Sequence, residues 1–176
     1  NKQRTNTRIV LLDTHAILHR AYHALPDFTS PTGEPTGALY GLVSFLLKIM
    51  VELKPDHIIA AYDLPEPTHR HEAFEDYKGT RAATDEASSV QLDRSKDLLD
   101  ALALPRLEAP GFEADDILGT LAESLKQQDG VETIIASGDM DTLQLVEGGH
   151  VVVYTLKKGI NETIIYNAEK VKERYG

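Results

Sequence analysis

Seven carboxylates occupy positions that an α/β chain could bring together: Asp13, Asp63, Glu113, Asp115, Asp116, Asp139 and Asp141. Asp13 and Asp63 each close an apolar run, RIVLLD at 8–13 and HIIAAYD at 57–63, and Asp139 lies just beyond a third, ETIIAS at 132–137. Glu113 and Asp116 are three residues apart in GFEADD, so in a helix they project from one side of its first turn. A single acid at a strand end or helix start is commonly a cap or a partner of the helix dipole. Seven on one edge of a sheet are different, because uncompensated carboxylates repel strongly in a partly buried cleft. Hard divalent cations that take oxygen ligands, Mg²⁺ or Mn²⁺, are the simplest remedy. Two such ions can activate water and stabilise the leaving oxygen of a phosphodiester, with no need of histidine or cysteine.

The elements that must position these acids are legible as strands alternating with helices. After the strand at 8–13, the spacing predicts a helix over 14–25 and a loop rich in turn formers over 26–35. Thr36 is placed to cap a helix reaching about residue 53, with Leu39, Leu42, Val43, Leu46, Leu47 and Met50 as its apolar stripe and Phe45 in the core. Helical spacing resumes over 90–102 through Leu92, Leu98, Leu99 and Leu102, followed by an extended piece at 106–108 and a helix over 114–126. After the strand at 132–137, a short helix is expected over 140–146. Two strands at 150–156 and 162–166 should flank a Gly-containing turn, with a last helix over 167–175. Alternation of this kind implies a mainly parallel sheet with helices on both faces, and in such sheets function gathers at the carboxyl ends of the strands.

Composition narrows the chemistry. The 176 residues suit one domain with a substantial core, and the absence of cysteine excludes disulfides, thiolate metal sites and cysteine nucleophiles. Acids outnumber bases by 28 to 18, a net charge of −10, which by itself argues against a general basic surface for nucleic acid. Setting aside the seven acids leaves 21 against 18, so much of the excess is the proposed site itself. No GxxxxGK[ST] or GxGxxG string is present, which argues against nucleotide-binding loops of those kinds. Residues 1–8 are polar, unlike a secretory signal, and no apolar run approaches a membrane span, so a cytoplasmic protein without a membrane partner is expected.

The stretch 64–89 is the exception to the regular pattern, with few aliphatics, two prolines and many charges. It carries Arg70, Tyr77, Lys78 and Arg81, of which Lys78 and Arg81 would share a face of a helical turn and Tyr77 could offer its ring to a base. These groups could hold a scissile phosphate; equally, with Glu66, Glu72, Glu75 and Asp76 among them, they could form a solvated charged loop. His15, His19 and His23 recur every four residues, but no acid stands in register beside them and Arg20 would repel a cation, so they are expected as structural histidines.

The strings IVLLDTHAILHRAYHAL, SPTGEPTGALYGL, AAYDLPEPTHRHEAFEDYKGTR, GFEADDILGTLA and ASGDMDTLQLV, in this order, resemble the bacterial 5′-nuclease family. The likeness is greatest to the N-terminal 5′–3′ exonuclease domain of DNA polymerase I, a relative of phage and eukaryotic flap endonucleases, and it covers residues 8–176. The resemblance implies an α/β, PIN-like three-layer fold in a single domain over 1–176, with an arch or clamp insertion at 64–89. It implies a 5′–3′ exonuclease or flap endonuclease that uses two Mg²⁺ (or Mn²⁺) ions to hydrolyse 5′ ends and flaps of branched DNA in replication and repair. The seven acids match the family's metal ligands, Arg70, Lys78 and Arg81 match its basic catalytic residues that contact the substrate phosphate, and Tyr77 matches its DNA-stacking aromatic.

The sequence departs from the family at His69, where Phe is usual, and in AATDEASS, which lacks the usual prolines. The family's Gly-Asp-x-x-Asp-Asn-type segment and helix-hairpin-helix element are not found in these residues. Impaired activity of the chain by itself is therefore expected, with a polymerase domain or C-terminal nuclease part as a further partner. Two alternatives stand beside this: a PIN-type ribonuclease, which shares the acids without needing YKGTR or the arch, and a catalytically silent DNA- or partner-binding module, for which the C-terminal elements not found here are the argument.

Overall fold

The computed structural model describes residues 6–66, 68 and 85–176. Its six-stranded sheet comprises β1 (Thr7–Asp13), β2 (His57–Ala61), β3 (Arg106–Leu107), β4 (Val131–Ser137), β5 (Val151–Lys158) and β6 (Glu162–Tyr166), in the order β3-β2-β1-β4-β5-β6. Every neighbouring pair is parallel except β5 and β6, which form an antiparallel hairpin. The apolar strands are buried on both faces, as parallel strands require. Val10, Leu12, Ile134 and Ala136 pack on one face with α1 (Thr14–Ala24), α2 (Gly37–Lys48) and α3 (Glu86–Ala101). Leu11, Ile135 and Val153 pack on the other with α4 (Ala114–Lys126), and Val171 of α5 (Ala168–Tyr175) joins them. The result is the expected three-layer α/β architecture. No helix among the described residues is long and apolar enough to cross a membrane.

The second helix differs from its expected form in three respects. α2 ends at Lys48 and the chain continues through a wider π-helical turn, Ile49–Leu53. Its buried stripe is Ala38, Leu42, Phe45, Leu46, Ile49 and Leu53, whereas Leu47 and Met50 are 57% and 58% exposed. The rotation follows from Gly41, where a Cβ would lie only 2.3 Å from Ala21 Cβ. The helices α1 and α2 meet closely at that point, which turns Leu47 and Met50 outward. Thr36 occupies the N-cap position but its side chain makes no capping bond. Gln91 of α3 does so instead, its Oε1 accepting from Ala38 N at 2.7 Å and Leu39 N at 3.4 Å.

α3 starts at Glu86, ahead of the expected 90, because Asp85 caps it by accepting from Ala87 N at 2.9 Å. Its buried positions are Gln91, Ser95 and Leu99, while Leu102 is exposed. Polar residues thus occupy much of the inward face, which a search for apolar periodicity passes over. The short helix after β4 is a 3₁₀ turn, Met140–Leu145.

Candidate metal centre

In the order β3-β2-β1-β4-β5, the chain leaves β1 toward β2 on one side and β4 toward β5 on the other. The carboxyl ends of β1 and β4 therefore flank the topological switch point, where α/β sheets of this kind bind ligands. Asp13 is the last residue of β1, Asp63 lies two residues past β2, and Ser137 ends β4 two residues before Asp139.

Asp13 is buried and serves two neighbours. As N-cap of α1 its Oδ1 accepts from Ala16 N at 3.1 Å, and its Oδ2 accepts from Ser137 Oγ at 2.7 Å. Burial pushes its pKa from 3.8 up to about 6; the bonds from Ser137 and Ala16 oppose that rise, and the negative charges of Asp115 and Asp63 add to it. Three acids from three segments of the chain thus share one electrostatic neighbourhood.

Asp63 is tied to the start of α4, its Oδ1 accepting from Ala114 N at 2.6 Å. Its own amide donates to His15 Nδ1 at 3.3 Å, and the His15 ring stands edge-on to Tyr62 at 5.7 Å between centroids. Glu113 and Asp116 form a capping box at the start of α4, with Asp116 Oδ2 accepting from Glu113 N at 2.9 Å and the Glu113 side chain accepting from Asp116 N. Asp139 begins the 3₁₀ turn, accepting from Asp141 N at 2.9 Å. Asp139 and Asp141 are exposed, whereas Glu113 is buried and Asp115 and Asp116 are half-buried. An open cleft of about 420 Å³ runs beside Asp115 and Asp116, walled by Phe112, Thr120 and Gln144.

All seven acids lie at the C-terminal end of the sheet or on the elements that adjoin it. They do not form a ready-made cage: among the described residues, no group of three or more His, Asp or Glu side chains is arranged to hold an ion. Asp13, Asp63, Glu113, Asp116 and Asp139 each give an oxygen to a backbone amide. The donor set nevertheless fits a hard cation, being all oxygen, with one member pushed toward neutrality by burial and like charge. Arg70, Tyr77, Lys78 and Arg81, and most of the expected arch, lie outside the described residues.

The histidines have structural partners; besides the bond to His15, His19 Nε2 and His23 Nε2 stand 3.2 Å apart on α1. One side chain that shapes the site was not singled out from the sequence: Ser137, although a hydroxyl closing the apolar run at 134–136 was the available signal.

Residues 8–176 match the model of the 5′–3′ exonuclease N-terminal, resolvase-like domain. The chain belongs to this family. DNA polymerase I of Bacillus caldotenax is 41% identical over 169 residues, covering 96% of this chain and 19% of that protein. DNA polymerase I of Mycobacterium tuberculosis is 35% identical over 178 residues, covering 100% of this chain and 20% of that one. The chain therefore spans about a fifth of the length of the polymerases it matches. Among solved structures, T5 5′-exonuclease with bound divalent metal ions (zinc) aligns at TM-score 0.69 and 19% identity, over 96% of this chain and 60% of that one. Human GEN1 in complex with Holliday junction DNA aligns at TM-score 0.54 and 15% identity, over 94% and 40%. These likenesses show the fold, the PIN-like α/β fold of those two structures.

Proposed function

We propose that this domain is a divalent-metal-dependent phosphodiesterase acting at 5′ ends and flaps of branched DNA, as a 5′–3′ exonuclease and flap endonuclease. The observation that carries this is Asp13, buried at the switch point, held by Ser137 and Ala16, and sharing its charge environment with Asp63 and Asp115. Asp13, Asp63, Glu113 and Asp115 would hold a first Mg²⁺ or Mn²⁺ ion, and Asp116, Asp139 and Asp141 would contribute to a second. Such ions supply a water of lowered pKa and neutralise charge on the scissile phosphate.

The chain's own residues set the scene for that chemistry. Asp13 and Glu113 bring negative charge to a dry edge of the sheet, so cation binding relieves a repulsion built into the fold. The α4 amides at 113 and 114 orient Asp116 and Asp63. Arg70, Lys78 and Arg81 would hold the phosphate and Tyr77 would stack on a base, by the family resemblance. Two structural relatives support the assignment: the T5 exonuclease with its metal ions, and a T5 flap endonuclease variant in complex with DNA and metal ions. The polymerase relatives support a role beside a polymerase domain in replication and repair.

The test is cleavage of a 5′-flap DNA and of single-stranded RNA with Mg²⁺, with Mn²⁺ and with a chelator. Metal-dependent release of the flap, with the RNA left intact, supports the proposal. Cleavage of the RNA alone would make the domain a PIN-type ribonuclease. Flap binding without cleavage under either metal, even with the family's C-terminal nuclease part supplied, would make it a silent DNA-binding module.

A further inference from the structure

We propose that Ser137 is a positioning residue that fixes Asp13 of the first cation position against Asp139 of the second; this rests on the metal-centre reading above. Ser137 is fully buried at the end of β4, and its hydroxyl joins two segments of the chain. It donates to Asp13 Oδ2 on β1 at 2.7 Å and accepts from Asp139 N, on its own turn, at 2.9 Å. A serine hydroxyl has one proton and two lone pairs, so the donor is committed to Asp13 while an acceptor site holds the Asp139 amide. The Asp13 carboxylate has about four acceptor sites, and the bonds from Ser137 and Ala16 occupy one on each oxygen. Each oxygen keeps a lone pair for a metal.

The turn that follows is fixed from several sides. Gly138 lies so close to α1 that a Cβ would stand 2.6 Å from Ala16 O, and Arg20 Nη1 donates to Gly138 O at 3.4 Å. Thr142 Oγ1 donates to Asp139 O at 2.6 Å. The separation of Asp13 and Asp139 is therefore set by one hydroxyl and one close approach of glycine, not by either acid itself. Alanine at 137 would remove the donor to Asp13 and the acceptor for Asp139 N at once, and a carboxylate there would add a further negative charge.

Groups that orient metal-bound carboxylates typically contribute about 10–100-fold in metal affinity when removed. Ser137→Ala is therefore expected to weaken Mn²⁺ binding by that factor, measured by titration calorimetry and by loss of the bound-ion signal in Mn²⁺ electron paramagnetic resonance. The half-saturating Mn²⁺ for flap cleavage should rise in parallel, with the rate at saturating Mn²⁺ falling much less. The metal-free variant should still unfold cooperatively. Parent-like Mn²⁺ affinity in Ser137→Ala would overturn the proposal, and so would a variant that no longer folds, since the hydroxyl would then serve the fold alone. A parent protein that takes up no Mn²⁺ would overturn the metal-centre reading itself, and the positioning role with it.

Discussion

The amide of Ala114 donates to Asp63 Oδ1 at 2.6 Å, so the acid that follows β2 caps the helix that carries Asp115 and Asp116. Asp63→Ala leaves a buried amide at a helix start without that acceptor, a loss worth about 1–3 kcal/mol. Asp63→Asn keeps a carbonyl oxygen in place and should cost less. Thermal unfolding of the metal-free proteins checks the order: parent, then Asn, then Ala.

Asp13 links stability to pH with a definite sign. Its carboxyl is raised to about 6 from 3.8, so the folded state holds its proton more tightly than the unfolded chain. That contribution is complete below about pH 4 and is lost as pH rises through about 6, amounting to roughly 3 kcal/mol. Asp13→Asn retains the acceptor for Ala16 and removes the charge. Without metal, it should melt above the parent at neutral pH and close to it near pH 4, as read from melting curves across pH. An equal difference at both ends would mean that the charge of Asp13 is not the cause.

Gln91 provides a control that metal should not touch. Its Oε1 serves the amides of Ala38 and Leu39, so Gln91→Ala should cost about 0.5–2 kcal/mol, as lost N-caps do. The same loss should be found with and without millimolar Mn²⁺, because α2 starts on the opposite face of the sheet from α4.

Gly41→Ala sets helix propensity against packing. Alanine favours a helix interior by about 1 kcal/mol, but its Cβ would meet Ala21 Cβ at 2.3 Å. Overpacking of this kind costs about 1–3 kcal/mol, so net destabilisation is expected, and Ala21→Gly in the same chain should recover part of it. Melting of the two single variants and the double variant gives the coupling.

The sheet was legible because its strands are short apolar runs, with Asp13 at the end of β1 and Asp63 two residues past β2, and β4 and β6 differ from the expected bounds by at most one residue. The helix α4 was legible to the residue, since Glu113 and Asp116 mark its start. What escaped was set by contacts distant in sequence. The stripe of α2 turned because Gly41 meets Ala21, and its cap comes from Gln91, 53 residues beyond Ala38. The site divides the same way: the seven acids were identifiable from their positions at element ends, whereas Ser137's bond to Asp13 spans 124 residues. The capping role common to single acids at helix starts was foreseeable for Asp13, Glu113 and Asp139, whereas the bond of Asp63 to Ala114 spans 51 residues and left no mark in the spacing.

If Asp13 is a metal ligand, the charge that destabilises the metal-free fold is the same charge that binds the cation. Titration of Mn²⁺ into the parent and Asp13→Asn at neutral pH, followed by calorimetry and melting, reads both effects at once. The parent should take up Mn²⁺ and gain stability, by about 2.7 kcal/mol at a hundredfold excess over Kd. Asp13→Asn should melt higher than the parent without metal and gain little from it. A parent that shows neither uptake nor a melting shift in millimolar Mn²⁺, or an Asn variant that binds the ion as tightly as the parent, would show that Asp13 and its neighbours are not a metal centre.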